Sequence, residues 1–400
     1  MKHILPDALR DATRLTRSGR LTEATAALQR LLGGEAAQGR TNTPTPCDPP
    51  TIEGVAEAVG TAGARRAPHA GSATPSALRG VLDQIGHPAF RMPGGGLAHP
   101  SSTQAPIAVA EGAQFLSATF SNQAGCRPYK LYVPSGYRME QALPLVVMLH
   151  GCTQSPDDFA AGTRMNEAAE AHTCLVAYPA QTSAANLQKC WNWFNASDQQ
   201  RNGGEPSLIA GITGAIMREY AVDPQRVYVA GLSAGGAAAS VMGHTYPDLY
   251  AAIGVHSGLA CGAAHDMPSA FAAMQRGSDG IARSGRSPRI VPAIVFHGDR
   301  DPTVHPRNSD AVVAQTAQTA RFATHTEDGR VPGGYAYRRT LHADADGQTI
   351  VEHWLVRGAG HAWFGGSPAG SYTDPGGPDA TREMLRFFLE HPHPTAVRGV

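Results

Sequence analysis

The stretch Val227-Tyr-Val-Ala-Gly231-Leu-Ser233-Ala-Gly235-Gly236 decides how this chain is read. Val227 to Ala230 is a short apolar run of strand length. It leads directly into Gly-x-Ser-x-Gly, and a helical pattern from Gly235 to His244 follows at once. A strand, a sharp glycine-flanked turn and a helix lift the serine hydroxyl to the tip of the bend, with the positive end of the helix near any developing oxyanion. A capping serine in an ordinary strand–helix turn would use the same letters. The strand before and the helix after favour the nucleophile elbow, and Ser233 is the candidate nucleophile.

A serine hydroxyl is a weak nucleophile without a base. On this architecture an acid and then a histidine follow later in the chain. Ala293-Ile-Val-Phe-His297-Gly298-Asp299-Arg300-Asp301 is a strand ending in an acidic loop. Asp301 is the candidate acid and Asp299 its rival, although a turn-forming Asp is common. Gly358-Ala-Gly360-His361-Ala-Trp363 follows the last strand, and His361 is the candidate base. Asp301 would fix the imidazole tautomer and His361 would accept the serine proton. Leu145 to Leu149 runs into His150-Gly151-Cys152-Thr153. The amides of Cys152 and of Ala234 are the candidate oxyanion donors, and His150 is read as a brace for this loop.

The rest of the chain falls into regions around these motifs. Leu9, Ala12, Leu15, Leu21, Ala24, Leu28 and Leu31 give residues 1–33 a helical pattern ended by Gly33-Gly34. Such a segment suits docking on a partner. Residues 34–112 are rich in Gly, Pro, Ala, Thr and Ser, and too poor in apolar area to offset ordering; a disordered linker is expected. Residues 113–391 alternate strand and helix patterns and are expected to form one α/β domain, a mostly parallel sheet with helices on both faces. The expected strands are 114–120, 129–133, 145–149, 175–178, 227–230, 252–255, 293–296 and 352–356, the first two as an antiparallel edge. Residues 392–400 read as a tail.

Composition excludes other classes. Lys plus Arg and Asp plus Glu are both 33, so there is no basic footprint for nucleic acid. No run of about 18 apolar residues spans a membrane. The six cysteines show no CxxC pairing, HExxH is absent, and no GxGxxG follows a strand, so neither metal nor organic cofactor is expected. The N-terminus lacks the apolar core and cleavage site of a secretory signal.

His150-Gly-Cys-Thr-Gln154, Cys190-Trp-Asn-Trp-Phe194, Gly231-Leu-Ser-Ala-Gly235, His256-Ser-Gly258 and Gly360-His-Ala-Trp363 occur in this order. Together they resemble the polyhydroxybutyrate depolymerase family of α/β-hydrolase esterases, over roughly residues 113–391. The resemblance implies the α/β-hydrolase fold and a serine esterase acting on hydroxyalkanoate polymer or oligomers. It implies Ser233, Asp301 and His361 as triad, Cys152 at the oxyanion hole, and a disulfide between Cys152 and Cys190. Trp191, Trp193 and Phe194 are either an apolar substrate wall or packing, and Trp363 is expected at the wall. Family members are extracellular, whereas the unsignalled N-terminus points to the cytoplasm. The N-terminal helices would then dock a partner or a polymer granule. Two alternatives stand beside this reading: a feruloyl or acetyl-xylan esterase, and a non-catalytic α/β-hydrolase binding scaffold.

Overall fold

Leu143–Leu149 (Leu-Pro-Leu-Val-Val-Met-Leu) has all seven residues buried. A strand apolar on both faces belongs at the centre of a sheet covered on both sides, and that is its place in the computed structural model, which describes residues 109–278, 289–317 and 322–394. The expected N-terminal helices and nearly all of the expected linker lie outside the described residues.

The strands are β1 Gln114–Asn122, β2 Gly125–Val133, β3 Leu143–Leu149, β4 Leu175–Pro179, β5 Val222–Leu232, β6 Ala252–His256, β7 Ala293–Gly298, β8 Ala323–Arg330, β9 Ala336–Ala343 and β10 Thr349–Val356. They form one sheet in the order β1-β2-β4-β3-β5-β6-β7-β10-β9-β8. The run from β4 through β10 is parallel. Antiparallel pairs finish both ends, β1/β2/β4 on one side and β10/β9/β8 on the other. Two short strands, β11 Trp363–Phe364 and β12 Thr373–Asp374, pair separately.

The helices are α1 Pro156–Thr163, α2 Met165–His172, α3 Gly204–Glu219, α4 Ala234–Thr245, α5 Met267–Arg276, α6 Arg307–Ala317 and α7 Ala380–Glu390. Side chains alternate across the strands. Leu145, Val147, Val227 and Val229 face a core completed by Ile209, Ile212 and Ile216 of α3 and Met242 of α4. Val146, Met148, Tyr228 and Ala230 face the opposite core, completed by Phe159 of α1, Met165 of α2 and Phe387 and Phe388 of α7. A mostly parallel sheet sandwiched in this way, with an elbow after β5, is the α/β-hydrolase arrangement. Among the described residues no helix is long and apolar enough to cross a membrane.

The hairpin β8–β9 was not among the expected strands. Seven of the eight residues of Ala323–Arg330 are exposed, so the strand has no buried face and its sequence carries no apolar alternation.

Candidate active site

Ser233 stands between β5 and α4 with φ 58° and ψ −120°, a positive φ that side chains other than glycine adopt only under constraint. The constraint is visible on both sides. A Cβ on Gly231 would strike the main chain of Gly235, and a Cβ on Gly235 would strike the Leu149 carbonyl oxygen. Only glycine lets the end of β3, the end of β5 and the first turn of α4 approach this closely. The Ser233 amide is anchored to the His256 carbonyl of β6 at 2.9 Å.

Asp301 follows β7 and His361 follows β10, and these two strands are neighbours in parallel register. His361 Nδ1 lies 2.7 Å from Asp301 Oδ2. Asp301 Oδ1 accepts the amides of Thr303 and Val304, each at 2.8 Å. Burial pushes the Asp301 carboxyl up, but hydrogen bonds from His297 and His361 outweigh it and hold the group well below the usual range. The rival Asp299 is exposed. Its Oδ1 accepts the Gly358 amide at 2.6 Å, which fixes the start of the loop that carries His361.

The Cys152 amide donates to no acceptor among the described residues. The Ala234 amide is at the first position of α4, where an N–H has no intrahelical partner. Cys152 and Cys190 are joined by a disulfide. His150 braces the loop as read from sequence: Nδ1 contacts the Gly151 carbonyl at 2.7 Å and Nε2 accepts the Gln181 amide at 3.0 Å. Burial lowers its pKa to about 4, which keeps the ring neutral at neutral pH, and both of its nitrogens are engaged within the loop.

Ser233, His361, Cys152 and Ala234 line one cavity of about 590 Å3. Its lining includes the polar Thr153, Gln154, Asn186 and Gln188 and the apolar Trp193, Phe194 and Leu259. Of the indoles expected at the wall, only Trp193 is on it. Trp191 turns inward, wholly buried, and its Nε1 donates to the His150 carbonyl at 3.1 Å. Trp363 sits in the opposite core against Phe159 and His256, with Nε1 on Thr381 Oγ1 at 3.0 Å. Each indole N–H finds a buried acceptor away from the cavity, and that draws the ring inward.

Two parts of the site were not read from the sequence. Gln154 is buried; its Oε1 accepts the Gly151 amide at 2.9 Å and its Nε2 donates to Asp158 at 2.9 Å, which fixes the oxyanion loop from below. Helix α5 presents Met267, Ala270, Phe271 and Met274 to the cavity. Met267 is 47% and Phe271 46% exposed, so this face borders the mouth. The signals were present: Asp266 and Ser269 form a capping box, and the four residues follow i, i+3, i+4, i+7 spacing.

Residues 127–334 match the model of the Esterase PHB depolymerase family. The chain belongs to this family of carboxylic ester hydrolases. It is 34% identical over 258 residues to a poly(3-hydroxyalkanoate) depolymerase C of Paucimonas lemoignei, covering 61% of this chain and 58% of that protein's length. It is 27% identical over 287 residues to a feruloyl esterase B of Neurospora crassa, covering 67% of this chain and 89% of that one. Among solved structures, an acetyl xylan esterase from Aspergillus awamori matches with a TM-score of 0.49 and 20% identity, over 70% of this chain and 99% of the other.

Proposed function

We propose that this family member is a serine esterase that cleaves ester bonds of poly(3-hydroxybutyrate), or of related hydroxyalkanoate polymers and oligomers. The observation that carries the reading is the meeting of Ser233 and His361 on one largely apolar cavity, with Asp301 bonded to the far side of the imidazole. Ser233 attacks the ester carbonyl while His361 takes its proton. The tetrahedral oxyanion is received by the amides of Cys152 and Ala234. His361 then protonates the leaving alkoxide, and the acyl group stays on Ser233. Water, deprotonated by His361, releases the acid and restores the serine. Asp301 holds Nδ1–H throughout, so that Nε2 faces the chemistry.

An uncharged substrate suits the apolar wall of Trp193, Phe194, Leu259 and α5. The kinship with a hydroxyalkanoate depolymerase supports the polyester in particular. The kinship with a feruloyl esterase supports the alternative of an aromatic acyl group. Hydrolysis of 3-hydroxybutyrate oligomers and polymer film, beside methyl ferulate, separates the two. Turnover of the ferulate alone would sink the polyester reading. A folded protein whose Ser233 forms no adduct with a fluorophosphonate would sink the esterase reading as a whole.

A further inference from the structure

His297 is the penultimate residue of β7, with its side chain fully buried, four residues before the candidate acid. Its Nε2 lies 2.7 Å from the Val304 carbonyl oxygen. A carbonyl only accepts, so Nε2 carries the proton. The same nitrogen is 3.4 Å from Asp301 Oδ2, the oxygen that faces His361. Nδ1 is buried and has no hydrogen-bond partner among the described residues. A buried nitrogen without a partner is costly, and an apolar side chain of similar volume would avoid the cost. The use of an imidazole here is therefore explained by what its Nε2–H does.

We propose that His297 is a positioning residue for the catalytic acid: one N–H, shared between the Val304 carbonyl and Asp301 Oδ2, fixes the acid loop and competes with His361 for the same carboxylate oxygen. The inference rests on the esterase reading above. Asp301 then has donors on both oxygens, Thr303 and Val304 on Oδ1, His361 and His297 on Oδ2. The other titratable groups in electrostatic reach of His297 are His256 of β6, His353 of β10 and Asp310 of α6. Burial holds His256 well below its ordinary range and His353 at about 4. Burial pushes Asp310 up.

Removing the His297 donor leaves Asp301 Oδ2 to His361 alone. The protonated imidazole is then held more tightly and the base is lost at a higher pH. The test is kcat/KM against pH on soluble p-nitrophenyl butyrate for wild type, His297→Leu, His297→Gln and Asp310→Asn. In His297→Leu the acid limb moves up by about half a pH unit, the size expected for one weak charge-assisted hydrogen bond. In His297→Gln, which keeps an N–H, it moves less, and in Asp310→Asn it stays. A His297→Leu limb that overlays the wild type overturns the proposal, as does one that Asp310→Asn reproduces. Should the leucine variant fail to fold, ring 15N–1H correlation spectra of the wild-type protein decide: a His297 protonated on Nδ1 alone removes the donor and overturns it. Labelling of wild-type Ser233 by a fluorophosphonate is read independently, so failure of the esterase reading is recognised separately.

Discussion

His361 and Asp301 are 60 residues apart in sequence and 2.7 Å apart in space, because the strands that deliver them, β10 and β7, lie side by side. Asp299, two residues from Asp301, makes no such contact and serves the His361 loop through the Gly358 amide. Asp301→Asn should therefore lower kcat by roughly 10^3- to 10^4-fold, since an amide offers the wrong partner to Nδ1–H. Asp299→Asn should cost far less. Parallel kcat measurements on a soluble ester check this; the reverse ranking would move the acid to Asp299.

Gly235 has no room for a methyl group, because the Leu149 and His150 carbonyl oxygens occupy the space. Main chain cannot swing aside as a side chain can. Gly235→Ala should destabilise the fold by at least about 3 kcal/mol, the upper end of ordinary overpacking. Denaturant midpoints measure the loss, and an alanine variant as stable as wild type would contradict the close approach described at the elbow.

Phe271 and Met274 reach the cavity from α5, whose C-terminal end is tied down by the His305 amide on the Met274 carbonyl at 2.7 Å and by Asn308 on the Ala273 carbonyl at 2.9 Å. With the helix thus held, shortening a side chain enlarges the cavity without releasing the element. Phe271→Ala and Met274→Ala should shift the preferred acyl length toward longer chains by roughly tenfold in relative kcat/KM, the usual scale for pocket methylenes. A p-nitrophenyl ester series from acetate to decanoate reads the shift; unchanged ratios would place the acyl chain elsewhere.

His150 is fully buried and His353 half-buried, and loss of hydration holds both near pKa 4, below the ordinary 6.5. The native state therefore resists binding a proton that the unfolded chain accepts. For such a depressed group, stability is complete above pH 6.5 and is lost as pH falls toward 4. Unfolding free energy should drop across that window. His353→Gln should flatten the drop, because its imidazole contacts Ser309 Oγ at 3.0 Å and lies outside the catalytic cavity. Denaturation curves at half-unit steps from pH 7 to 4 test this, and an equal slope in the variant would exclude His353 as a source.

Much of this was legible because the elements that build the site are also the most buried. Leu143–Leu149 and the end of β5 are continuous apolar runs, and the elbow has a glycine pattern dictated by backbone contact. The order serine, acid, histidine follows from the order of strands. The edge strand β8 was not legible, since a strand exposed on both faces leaves no periodicity. Nor could proximity in sequence say which way an indole points. Trp363 neighbours His361 by two positions yet packs on the opposite core, because the Thr381 hydroxyl draws its N–H there. Trp191 was lost to the His150 carbonyl in the same way. The part played by α5 depended on which helix face met the cavity, a tertiary fact that its amphipathic spacing alone does not specify.

The adjacency of β7 and β10 also separates what must stay fixed from what can grow. Everything between Asp301 and His361 returns to the same pair of neighbouring strands, so the intervening hairpin is an excursion outside the catalytic frame. The turn that leads from β9 into β10, Asp344 to Gly347, ends on a glycine with open space around it. A polymer-anchoring module or a reporter protein spliced into that turn would be carried outward by the sheet edge, and the acid and base would keep their spacing. For an engineer, the stretch between acid and base offers a safe port of entry into the domain.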